Sequence, residues 1–391
     1  MRGAGSVGLY LAVVQFFFAL SWIVYVIYLP QLAERAGLPR SVVPWLLMLD
    51  QLLFIVCDTA VGFASDRAAQ VLGKVGRWMI VATLVSMAAF VALPFGAPGG
   101  PVLLTLLTVV WAISSSVLRA PPLTLLGRYV AKPTQPLLVA LMLLGSGIAA
   151  AVAPYLGLVL KQIDPRWPFA LSSLALAAVV VGMVAAERAL ARSHAVQPAP
   201  KVVRTKPLTT PIPGFLLAAL LAAAAFQLHA NVLSAPLYLR HAAAAELPWL
   251  MPVFWVGFNL ALLPASLLTK RYGSLAMMAA GAFAAAGCTL LAWAAGSLPV
   301  LLAAQGLAGA SWAVLLMSGF ASALWFGHVG REGLLSGAMN ALLAGAALAR
   351  LGLVVTVAPA PAVALGWGWV PALGFVLGAA LLAVIWQRSR A

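Results

Sequence analysis

Four charged residues lie inside stretches that are otherwise apolar: Asp50, Asp58, Arg119 and Arg350. The whole chain has 8 acidic residues in 391, so two of them in one apolar run carry information. A charge at mid-bilayer costs at least ~2.5–3.5 kcal/mol on insertion scales, and such residues face the protein interior with a partner. A carboxylate that takes up and releases a proton or other cation, beside a guanidinium that neutralises it, is the working part of an ion-coupling device. The same residues also suit static neutralisation of charge within a helix bundle.

A second set of residues has the chemistry of a binding cavity. Gln227, Asn231, Ser234 and Tyr238 fall at offsets of 0, 4, 7 and 11, which places them on one face of a regular helix. His229 falls off that face by roughly 200° and is expected to be a packed, neutral side chain. Gln15, Trp22, Tyr25 and Tyr28 share a face of another stretch, and Thr108, Trp111, Ser115 and Arg119 of a third. Gln305 and Trp312 belong to a fourth. Amide, hydroxyl and aromatic groups that converge suit a neutral polar solute with flat apolar faces, such as a sugar. Arg119 equally suits a carboxylate. Tyr28 and Tyr238 also fit an interfacial aromatic belt.

The elements that must position these residues are membrane helices. The chain is 64% hydrophobic and 8% charged, with mean hydropathy +1.06, against roughly 25% charged residues in soluble domains. Spans of about 20 apolar residues are predicted over 8–29, 42–65, 78–97, 101–127, 133–160, 167–187, 212–239, 247–269, 275–295, 298–326, 334–358 and 363–386. The first is read as a membrane helix and not as a removed signal peptide. A polar, proline-bearing linker over 188–211 separates an N-terminal half (1–187) from a C-terminal half (212–391). Sixteen Lys and Arg residues fall on the side of both termini and the linker, and five on the other. That asymmetry predicts cytoplasmic termini and accounts for the net charge of +15 without nucleic acid as a partner. Cys57 and Cys288 lie in apolar runs as packing residues. The sequence shows no metal-ligand spacing, Ser/His/Asp set or phosphate-binding loop, so no enzyme and no cofactor are expected.

Depth pairs the buried charges. Asp58 is seven residues from the end of its span at 65, and Arg119 eight from the end at 127. At 1.5 Å per residue, both stand roughly 10–12 Å from the same surface. Asp50 and Arg350 are each eight residues from the opposite ends of their spans. These matches predict an Asp58–Arg119 coupling pair and an Asp50–Arg350 latch on the outer side, closed when the cavity faces inward.

The halves repeat one another. Pro44-Trp45-Leu46, followed by Asp66-Arg67, is echoed 204 residues on by Pro248-Trp249-Leu250 and Lys270-Arg271. Tyr28-Leu29 parallels Tyr238-Leu239, Trp111 parallels Trp312, and Gln135-Pro136-Leu137-Leu138 parallels Glu332-Gly333-Leu334-Leu335. A repeat of half the chain built from membrane helices is a common plan of secondary transporters.

Six plus six helices, a basic linker, and a loop reading Gly62-Phe63-Ala64-Ser65-Asp66-Arg67 with a late Gly76-Arg77 resemble the Major Facilitator Superfamily. The resemblance implies an all-α fold of twelve transmembrane helices in two pseudo-symmetric halves, with helices 1, 4, 7 and 10 lining a central cavity. It implies that Asp66, with Arg128 as a further partner, ties the loop to the nearby end of helix 11 and closes the cytoplasmic side. Asp58-Thr59-Ala60-Val61-Gly62 is similar to the cation-site segment of the glycoside–pentoside–hexuronide and sucrose–cation symporters. The expected function is alternating-access uptake of a small polar organic solute, driven by a proton or another cation, by a monomer in a bacterial inner membrane. Export of amphipathic compounds by proton antiport, and a transporter-like assembly factor or receptor, are the alternatives.

Overall fold

The computed structural model describes residues 2–68, 74–116, 119, 134–178, 211–327, 330–357 and 361–388. Among them every regular element is a helix. In chain order these are α1 (Arg2–Arg35), α2 (Val43–Ala68), α3 (Lys74–Gly96), α4 (Pro101–Ser116), α5 (Gln135–Val159), α6 (166–178), α7 (Pro211–Tyr238), α8 (Pro252–Tyr272), α9 (Ser274–Ala294), α10 (Leu298–Gly327), α11 (Glu332–Val357) and α12 (Val370–Arg388). Ten are long and apolar enough to cross a membrane, and the described parts of α4 and α6 are shorter.

Each predicted span has its helix, with three informative departures. The α4 helix is described as far as Ser116, and at Arg119 the N–H donates to the Ser116 carbonyl at 3.2 Å, a tighter i→i+3 turn. The expected continuation to 127, with Pro121 and Pro122, lies outside the described residues, as does the linker up to 210. The last span begins later than predicted, because a short helix (Pro361–Gly366) stops before α12. The Trp293 indole explains the break. It donates from Nε1 to the Leu365 carbonyl at 3.0 Å, and a Cβ at Gly368 would stand 1.9 Å from its Cδ1. In α7, His229–Leu233 form a π-turn.

The helix pairings carry the internal symmetry. α1 packs on α5, α2 on α4 and α3 on α4; six helices later, α7 packs on α11, α8 on α10 and α9 on α10. The contacts between the two sets, α2 with α11 and α5 with α8, exchange under the same shift. The repeated tryptophans keep equivalent places. Trp111 of α4 lies against Tyr25 of α1, with ring centroids 4.6 Å apart. Trp312 of α10 stacks on Phe226 of α7 at 4.3 Å.

In a bilayer, helices associate through close van der Waals packing, and small residues permit it. The antiparallel α2–α11 seam shows how. Met48, Ile55 and Gly62, spaced by two helical turns, face Gly352, Gly345 and the Gly333–Gly337 pair. At one end side chains fill the seam: Met48 Cε and Ile55 Cδ1 each lie 3.9 Å from where a Cβ on the opposing glycine would stand. At the other end backbones touch: a Cβ on Gly62 would meet the Gly333 carbonyl oxygen at 2.2 Å, and one on Gly337 would meet the Asp58 carbonyl oxygen at 2.4 Å. Gly145 and Gly147 of α5 serve two seams at once. A Cβ would stand 1.9 Å from the Ala12 carbonyl oxygen of α1 at the first and 2.8 Å from Phe258 Cδ1 of α8 at the second.

Candidate functional site

Asp58 of α2 and Arg119, one turn beyond α4, form an ion pair with Oδ1 and Nη2 3.0 Å apart. Asp58 is fully buried, and the contact lies off the line of a directed hydrogen bond. Arg119 Nη2 donates instead to Ser116 Oγ at 3.1 Å. The guanidinium carbon sits 3.6 Å from the centroid of Phe54, within the range of a cation–π contact. Phe54 is one turn from Asp58 on α2, so the acid and the ring reach Arg119 from the same face. Sequence reasoning passed over Phe54, although its i,i+4 spacing to Asp58 is the signal that finds it.

Asp50, also fully buried, accepts a hydrogen bond from the Tyr25 hydroxyl at 2.9 Å through Oδ2, and its Oδ1 has no hydrogen-bond partner. The latch expected between Asp50 and Arg350 is not formed. The two residues are level, as Met48–Gly352 and Ile55–Gly345 on either side show. Asp50, however, follows Met48 by two residues, roughly 200° around the helix, and so turns away from the α11 seam. Arg350 precedes Gly352 by two and turns away in the same manner, donating from Nε to Gln227 Oε1 at 3.1 Å.

An aromatic cluster joins the two acids. Tyr25, which holds Asp50, packs on Trp111. Trp22 stacks on Trp111 with centroids 5.9 Å apart and lies 5.4 Å from Phe54, the ring under Arg119. Tyr25 and Trp111 are buried, while Trp22 is partly accessible. Gln15 and Ser115 are buried as well, and Ser115 Oγ donates to the Ala112 carbonyl. Tyr28 is tied to the Leu160 and Ile163 carbonyls and not to an exposed belt.

The π-turn divides the polar residues of α7, which were expected on one face. Gln227 and Asn231, an ordinary i,i+4 pair, bond each other at 3.0 Å, and Gln227 meets Arg350. A π-turn brings residues i and i+5 together, so His229 and Ser234 share the other side. There Gln305 of α10 bridges them, with His229 Nε2 3.0 Å from its Oε1 and its Nε2 donating to Ser234 Oγ at 3.3 Å. Gln305 is fully buried and His229 nearly so, whereas Asn231 is exposed. His229, expected to be merely packed, is thus part of a buried polar chain. Trp312 and Tyr238 are buried, and the Tyr238 hydroxyl has no hydrogen-bond partner.

Asp66 completes a helix that lacks its own cap. The residue before α11 is Arg331, whose side chain has no acceptor, and the first amides of a helix need one. Asp66 supplies it from α2: Oδ1 accepts from Gly333 N–H at 2.7 Å and Oδ2 from Leu334 N–H at 2.8 Å. The N-terminal end of the helix dipole favours the carboxylate further. Arg128 and the side chains of Arg67 and Arg77 lie outside the described residues. Among the described residues no group of three His, Cys, Asp or Glu is placed to hold a metal ion.

Solved structures with this fold span nearly the whole chain. A bacterial homologue of the iron transporter ferroportin, in an outward-facing state, aligns with TM-score 0.74 and 15% identity over 98% of this chain and 100% of its own. The E. coli fucose:proton symporter FucP aligns with TM-score 0.65 and 15% identity over 96% and 97%. A human organic anion transporter aligns with TM-score 0.67 and 14% identity over 97% and 96%. No curated protein is similar enough in sequence to stand as a relative. The sequence model of the Major Facilitator Superfamily matches residues 11–241, more than half the chain. With that match and, among the described residues, the pairings of α1–α5 repeated in α7–α11, the chain is a multi-pass membrane protein that belongs to the Major Facilitator Superfamily of transporters.

Proposed function

We propose that the protein is a secondary carrier that takes up a small polar organic solute by alternating access, coupled to a proton or another cation. The observation that carries this reading is the buried Asp58–Arg119 pair, linked through Phe54, Trp22, Trp111 and Tyr25 to the second buried acid, Asp50. Asp58 is the coupling carboxylate. Arg119 is its counter-charge while they touch, so uptake of a proton or cation at Asp58 goes with separation of the pair. Asp66 is the cytoplasmic clasp, since its bonds to α11 join helices of the two halves. The halves are 1–187 and 212–391, joined by a cytoplasmic linker over 188–211, in a bacterial inner membrane. Similar folds include a fucose:proton symporter and an organic anion transporter, and the Asp58–Gly62 segment keeps its likeness to sugar–cation symporters.

Uptake by proteoliposomes carrying a pH-sensitive dye in their lumen tests this. Proton entry that follows addition of a solute, and that Asp58→Asn abolishes while solute binding persists, is the expected result. Solute-driven proton entry that survives Asp58→Asn removes the coupling role.

A second reading has one observation in its favour. A cleft of about 410 Å³ between α1, α5 and α6 is lined by Phe17, Leu20, Val24, Leu156 and Trp167, nearly all apolar. That lining suits an amphipathic compound and would serve an exporter. Dye efflux from the same vesicles under an opposed proton gradient distinguishes the two.

A further inference from the structure

We propose that Arg350, with Gln227 and Asn231, forms the binding site for a carboxylate on the transported solute. The inference rests on the carrier reading above and adds the substrate's charge. Every acid in the described residues is engaged away from Arg350. Glu34 pairs with Arg40, Asp58 with Arg119 and Asp50 with Tyr25; Asp66 caps α11. Asp164 and Glu246 accept from backbone amides in loops, and Glu332 lies at the far end of α11, eighteen residues away. Arg350 therefore stands as a cation within a membrane helix, and its hydrogen-bond partner is a neutral amide.

The geometry selects the ligand. Gln227 occupies Nε, which leaves the Nη1–Nη2 edge of the guanidinium, and that edge matches the two oxygens of a carboxylate. Gln227 Oε1 also accepts from Asn231 Nδ2, so one amide holds both donors in place. Asn231 is exposed and Arg350 only partly buried, so the site is open to a solute. A charge in a membrane segment with no counter-charge among the described residues marks a functional site by default. Arg119 is not an equal candidate, because Asp58 already neutralises it.

Matched acid and neutral pairs test the site by thermal shift on the purified full-length protein: lactate with lactamide, benzoate with benzamide, and gluconate with the neutral sugar glucose. Acetyl phosphate and anionic phospholipid added to detergent serve as other anion sources. Acids that raise Tm where their neutral partners do not, with an affinity loss of roughly tenfold or more in Arg350→Gln, are expected. Gln227→Glu guards against misfolding of that variant: it gives Arg350 an internal carboxylate, and should raise Tm while abolishing the acid response. An acid response unchanged in both variants, a stronger response to phosphate or phospholipid than to any carboxylate, or no acid-specific response in the wild type overturns the proposal. Uptake of a neutral solute unaffected by Arg350→Gln would overturn this site and leave the carrier reading standing. Acid binding without any uptake would do the reverse.

Discussion

Asp50 and Arg350 stand level on neighbouring helices and turn their side chains in opposite directions, Asp50 to Tyr25 and Arg350 to Gln227. Residues without shared partners act independently, and their mutational effects add to within roughly 0.5 kcal/mol. Asp50→Asn and Arg350→Gln should therefore be additive. Thermal unfolding of both single variants and the double variant in detergent gives the coupling. A coupling above about 1 kcal/mol would show that the two residues meet after all.

The Asp58–Arg119 pair should behave in the opposite way. Removing one member of a buried ion pair leaves the other charge uncompensated, which typically destabilises by roughly 3–5 kcal/mol. Asp58→Asn strands Arg119, whose side chain is only 17% exposed. Asp58→Asn with Arg119→Gln removes both charges and should recover a good part of the loss. Unfolding of the same set of variants measures this, and a double variant no better than Asp58→Asn alone would deny that charge is what binds them.

These two cases mark how far the sequence was readable. Helix order and the relative level of residues on neighbouring helices are legible, because hydropathy runs are long and each residue advances a helix by a fixed 1.5 Å. That is why Asp58 and Arg119 were placed together, and why Asp50 and Arg350 were placed level. Azimuth did not come through. Which face of α2 meets α11 depends on Gly62, Gly333 and Gly337 bringing the backbones together, and a depth match is blind to a 200° turn between Met48 and Asp50. The α7 polar stripe failed for a related reason. Its offsets assume 3.6 residues per turn, and the π-turn at His229–Leu233 breaks that count. Nothing in the composition of that segment announces it.

The glycine seam makes a prediction in which two effects compete. Gly→Ala within a helix gains roughly 1 kcal/mol in backbone propensity, while overpacking costs typically 1–3 kcal/mol. At Gly345 an added methyl would meet only Ile55 Cδ1 at 3.9 Å, so Gly345→Ala should be neutral or stabilising. At Gly62 the methyl would meet the Gly333 carbonyl oxygen at 2.2 Å. A backbone atom cannot move aside alone, so Gly62→Ala should force α2 and α11 apart and lower Tm. The same separation should pull Asp66 from the amides of Gly333 and Leu334. Hydrogen exchange at those two amides should quicken in Gly62→Ala and in Asp66→Ala alike. Unchanged protection in Asp66→Ala would mean that the carboxylate does not cap the helix.

The π-turn can be tested through the contact it creates. In a regular helix His229 and Ser234 would stand about 140° apart, and Gln305 could not bridge both. In the π-turn they converge, and Gln305 bonds each of them. A π-turn amounts to one extra residue in an α-helix, so deletion of Ala230 should restore regular winding and break the bridge. His229→Ala and Gln305→Ala should be coupled by roughly 1 kcal/mol in the full chain, the net worth of a buried hydrogen bond, and uncoupled in the deletion background. Gln227 and Arg350 lie on the α11 side of α7, and Gln227 precedes the turn. The Gln227–Arg350 contact should therefore survive the deletion, and the Tm response to Arg350→Gln should stay the same. Loss of both contacts together would show that the π-turn organises the whole polar face of α7 and not only its upper half.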